Sequence, residues 1–80
     1  MNVATCTIQL GLDGVSSLKE KRRILKSVIA RLSNQFNISV AEVDYHDVWQ
    51  SAVIGLAAVG NDNGRLHSQM EKAVAYIERN

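Results

Sequence analysis

The run Val48-Trp-Gln-Ser-Ala-Val-Ile-Gly-Leu-Ala-Ala-Val59 limits the folds open to this chain more than any other stretch. Both of its alternating sets of side chains are apolar or small. A strand with one wet face alternates between apolar and polar residues, whereas a run like this one marks a central strand covered on both faces. The run is also well short of the roughly 20 apolar residues that span a bilayer. A sheet must therefore be assembled around residues 48–59, from neighbours found elsewhere in 80 residues.

Those neighbours are legible. Ala4, Cys6, Ile8, Leu10 and Leu12 alternate with Val3, Thr5, Thr7 and Gln9, the two-residue period of a strand over 2–12. Ile38 to Val43 is short and β-branched, a further strand. Asp44-Tyr45-His46-Asp47 is a polar connection suited to a hairpin. Between the first two strands, Ser17-Leu-Lys-Glu20 has the form of a capping box. Stepping about 100° per residue from Leu18 gathers Leu25, Val28, Ile29, Leu32 and Phe36 into one arc, so a helix is expected over 17–36. Lys21 projects into that apolar arc. Gly60-Asn-Asp-Asn-Gly64 makes a turn, and Leu66, Met70, Ala73 and Ile77 give a second amphipathic helix over 65–79.

The order β-α-β-β-α predicts an α+β, ferredoxin-like sandwich: one antiparallel sheet with two helices on one face, read as a single domain over 1–80. That order is one strand short of the full split βαβ sandwich, which leaves an edge of the first strand open. Net charge is +1, so no global field draws the molecule to nucleic acid or membrane. Cys6 is the only cysteine, which excludes an internal disulfide and a thiolate-rich zinc site. The first residues lack the basic start and apolar run of a signal peptide, and the localisation read from these features is cytoplasmic.

The pieces Ser17-Leu-Lys-Glu-Lys-Arg22 with Leu25-Lys-Ser27, Phe36-Asn-Ile-Ser-Val-Ala-Glu-Val43 and Asp47-Val-Trp-Gln50 go together, followed by Ala52, Gly55 and Ala57-Ala-Val59. In this combination the chain resembles the YlxP-like family of small uncharacterised bacterial proteins, over nearly its whole length. The resemblance implies the ferredoxin-like fold, and relatives usually continue into a final strand. It also implies a setting near translation and transcription-elongation factors, hence a ribosome or RNA role. It brings no catalytic residues with it.

Five of the nine Lys and Arg residues fall within residues 16–26. Lys19, Arg22, Arg23 and Lys26 share the arc beside the apolar stripe and form the candidate nucleic-acid-binding set. A solvated helix face has the same composition. However, the start of a helix is the wrong end for positive charge, at a cost of a few tenths of a kcal/mol each. Lys21, Asp47 and Trp49 form a second candidate set, for an anion or an interface. Lys21 is expected to lay its stem over the core and reach water, with pairing to a carboxylate across the sheet edge as the alternative. Asp47 is expected to organise the turn, and Trp49 to open the central strand as an anchor or packing residue.

No catalytic set emerges. Ser, His, Asp and Cys are present without a strained-turn motif joining them, and there is no phosphate-binding glycine loop. His46 has no second histidine near it in sequence, so neither a metal nor a cofactor is expected. The outer sheet face would show Val3, Thr5, Thr7, Trp49, Ser51, Val53, Gly55 and Val59, with Trp49 as its one aromatic where an RNA-recognition sheet puts aromatics on both central strands. Such a face, or the open edge of the first strand, suits self-association as a homo-oligomeric structural module. The partners expected are therefore structured RNA or the ribosome, and a second copy of the chain, with no membrane and no small molecule.

Overall fold

The structure, a computed structural model, describes residues 1–79. Its elements are β1 (Asn2–Gly11), α1 (Leu18–Gln35), β2 (Ser39–Asp44), β3 (Ser51–Gly60) and α2 (Asn63–Arg79). The strand order is β1-β3-β2, antiparallel throughout, with the apolar run as the central strand. This is the α+β, β-α-β-β-α sandwich expected from the pattern.

The β1–β3 ladder runs without a break from Asn2↔Gly60 to Gly11↔Ser51. On β2 the register slips between Glu42 and Asp44, leaving Val43 as the extra residue of a bulge. Alternation decides which side is buried. Ala52, Ile54, Leu56 and Ala58 point to the helices and are buried, with Ala4, Cys6, Ile8 and Leu10 packed beside them. Leu25 and Leu32 come down from α1, and Leu66, Met70, Ala73 and Ile77 from α2. Leu10, Val28 and Val40 touch both halves of this core. The opposite set on β3 is not covered by the helices, so the central strand is dry on one face only.

α1 begins where the capping pattern places it. Ser17 is extended and its hydroxyl accepts from the Glu20 amide at 3.1 Å. The Glu20 carboxylate returns one residue further back than expected, accepting from the amide and hydroxyl of Ser16 at 3.3 and 3.2 Å. The helix ends as Phe36 turns extended and donates its amide to Leu32 O at 2.9 Å. The Phe36 ring meets Tyr76 edge-on at 5.8 Å, which ties the end of α1 to α2. α2 starts at Asn63, two residues earlier than the apolar spacing indicates, because Asp62 caps it through its carboxylate and carbonyl. No helix among the described residues is long and apolar enough to cross a membrane.

Candidate nucleic-acid interface

Lys21 is the residue that sets the site. It lies in the first turns of α1 on the face turned to the sheet and is 1% exposed. Its stem follows the apolar arc, but the ammonium does not reach water. It donates to Tyr45 O at 2.5 Å and Val48 O at 2.6 Å, and stands 2.9 Å from Glu42 Oε2. That last contact is an ion pair outside hydrogen-bond angles, and Glu42 Oε2 takes no hydrogen bond. Attraction between two charges at this distance does not need a good angle, so the pair stands. An anion binding here would have to displace a carbonyl or the Glu42 carboxylate.

The two carbonyls belong to the β2–β3 connection, and the lysine is what shapes it. Tyr45 adopts φ 60, the left-handed region that a bulky residue rarely enters. Its amide donates to Asp44 Oδ1 at 2.7 Å, and its carbonyl also receives the Val48 amide at 3.0 Å. Beyond the turn, Gln50 reaches across to the β1–α1 loop. It donates Nε2 to Val15 O and accepts the Leu12 amide, both at 2.9 Å. The Leu12–Gln50 bond extends the β1–β3 register by one pair, and β3 itself begins at Ser51 rather than at Val48. The start of α1, the β1–α1 loop and the β2–β3 connection thus form one fixed end of the molecule.

Lys19, Arg22, Arg23 and Lys26 project outward from that end. All four are exposed, and they line one shallow depression with Ser17 and Glu20. Among the described residues none of them is in an ion pair; the pairs formed are Lys21–Glu42, Arg65–Asp62 and His67–Glu71. Glu42, the carboxylate nearest in the sheet, is already committed to Lys21. The four cations therefore keep their charge for solvent or a ligand.

Asp47 and Trp49 are both exposed on the connection, Trp49 at 44%. Asp47 makes no side-chain hydrogen bond among the described residues, and the carboxylate that organises the turn is Asp44. Trp49 lies before β3, outside the sheet ladder. Val48, Tyr45 and Val43 are exposed near it in sequence. Sequence reasoning left out Val15, which is 4% exposed, and the bridge from Gln50 that holds it. A lone valine in a glycine-containing loop gives no periodic signal. No group of three His, Cys, Asp or Glu side chains converges among the described residues.

Residues 3–80 match the family described as "Protein of unknown function (DUF503)". The chain is also similar to a protein of Bacillus subtilis (strain 168) described as "Uncharacterized protein YlxP". The two are 39% identical over 62 residues, 78% of this chain and 67% of that protein.

Proposed function

The chain belongs to the DUF503 family, and we propose that it is a non-enzymatic interaction protein that holds structured RNA, including RNA on the ribosome, through the exposed face of α1. One observation carries this reading: Lys19, Arg22, Arg23 and Lys26 stand together, exposed and unpaired, on a helix whose start is locked to the sheet by Lys21. Lys19, in the first turn of α1, works against the helix dipole. A phosphate backbone offsets that cost and gains affinity from counterion release. The outer sheet lacks the paired aromatics that read unstacked bases, so recognition follows backbone shape rather than base identity.

The test is binding to a fluorescent RNA hairpin and to purified ribosomal subunits across a salt series. Four phosphate contacts predict a loss of roughly 50- to 150-fold between 50 and 200 mM salt. Replacing Lys19, Arg22, Arg23 and Lys26 by Glu should abolish the interaction. Undiminished binding by that variant would sink the proposal.

A further inference from the structure

We infer that the outer face of the sheet is where two copies of this chain meet, packed face to face about a two-fold axis. The helices cover only the other side. On the outer side Val3 lies across from Val59, Thr5 from Ala57, Thr7 from Gly55 and Gln9 from Val53. β2 extends this surface with Ser39 beside Ala57 and Ala41 beside Gly55. Charged residues make up 21% of the chain, yet none falls in the body of this face. The nearest carboxylate is Asp44, opposite Val53 at the rim. Val3 and Val59, directly opposite one another, are 59% and 60% exposed.

The chemistry of the face selects its occupant. It offers no cation to a nucleic acid and no charge to an acidic or basic peptide. It has neither a deep pocket nor a large aromatic or arginine anchor of the kind that carries most hetero-interfaces. A flat, neutral surface of Val, Thr, Ala and Gly is complemented by another of the same kind, and the nearest source is a second copy. Val43 leans over Gly55 and fills the place of its missing side chain, while Ala57 keeps its part of the face low, so that two twisted sheets can pack at about 10 Å with Val and Thr interdigitating. Two strands of ten residues and one of six give a projected footprint of roughly 400 Å² per copy. The accessible area of a pleated surface exceeds its projection, which brings the contact toward the low end of specific interfaces. The dimer is therefore concentration-dependent. It would also cover the second apolar set of β3, which a lone protomer leaves wet.

This inference does not depend on RNA binding, and salt separates the two. A neutral face should hold its dimer in high salt, where phosphate contacts fail. Sedimentation equilibrium of the intact chain, from low to high micromolar, should show the mass rising from 8.8 kDa toward twice that value. Thr5→Lys and Val59→Lys, tested separately, each put an unpaired ammonium into the apolar contact and should weaken association by about tenfold or more. Both positions are exposed in the protomer, so circular dichroism should stay unchanged. A strict monomer at high micromolar concentration overturns the inference. So does a dimer that tolerates both lysines, since its contact would lie elsewhere, at the free edge of β1 for example.

Discussion

Lys21 exchanges hydration of its ammonium for two backbone carbonyls and one carboxylate. Such a group is hard to replace singly, because each removal leaves a partner buried and uncompensated. Lys21→Met keeps the apolar stem but strands Glu42, which is 18% exposed, and frees the Tyr45 and Val48 carbonyls. It should cost about 3 kcal/mol, or on the order of 15 °C in Tm for a chain of this size. Adding Glu42→Leu should return part of that loss, since a matched apolar pair removes the orphaned charge. A thermal melt of the three proteins decides the matter; an unchanged Tm in Lys21→Met would show that the ammonium is not held inside. The position of Lys21 was legible, because stepping 100° per residue puts it in the apolar arc. Its partners were not. Glu42, Tyr45 and Val48 lie 21 or more residues away, and only the docking of α1 on the sheet brings them together. The expected exit to water failed for the same reason: the β2–β3 connection closes over the stem.

At the level of elements, the outward cations of α1 and the bulge of β2 each make a prediction. Lys19 sits in the first turn of α1, where a positive charge opposes the dipole. Lys19→Glu should raise stability by a few tenths of a kcal/mol while lowering RNA affinity. Opposite signs in a urea melt and a binding titration would distinguish a functional charge from a decorative one. Gly55 is a packing glycine of β3. A Cβ there would come within 2.9 Å of Val43 Cγ1, and the β-branched side chain has little freedom to move aside. Gly55→Ala should therefore destabilise by about 1–2 kcal/mol, and Val43→Ala in the same chain should recover most of it. Periodicity located all five elements, but their ends were set by side chains outside the period. Asp62 draws α2 back to Asn63, and Lys21 holds the Val48 carbonyl in the connection ahead of β3, which begins at Ser51. The bulge at Val43 left no mark in the pattern, since a short β-branched run such as Ile38 to Val43 has no alternation for an extra residue to break.

For the whole molecule, the central position of β3 followed from its two apolar faces, and the layer of helices from the two amphipathic stripes. Alternation with two helices on one face also puts Val53, Gly55 and Val59 on the side left open, and there they lie, half-buried or exposed. The two edges of the sheet are also unlike. β2 is six residues long, bulged and carries Glu42 and Asp44, all features that discourage further pairing. β1 is ten residues of unbroken ladder with no charge and no proline. That contrast has a consequence in time. β1 is made first, yet its partner spans Ser51–Gly60, so at ordinary elongation rates of about 5–20 residues per second it waits roughly 2–12 s for a strand to pair with. During that interval a neutral segment rich in β-branched residues has no strand to pair with. The sheet is thus closed by its last strand rather than its first, and β1 stays without a pairing strand until residues 51–60 have been made.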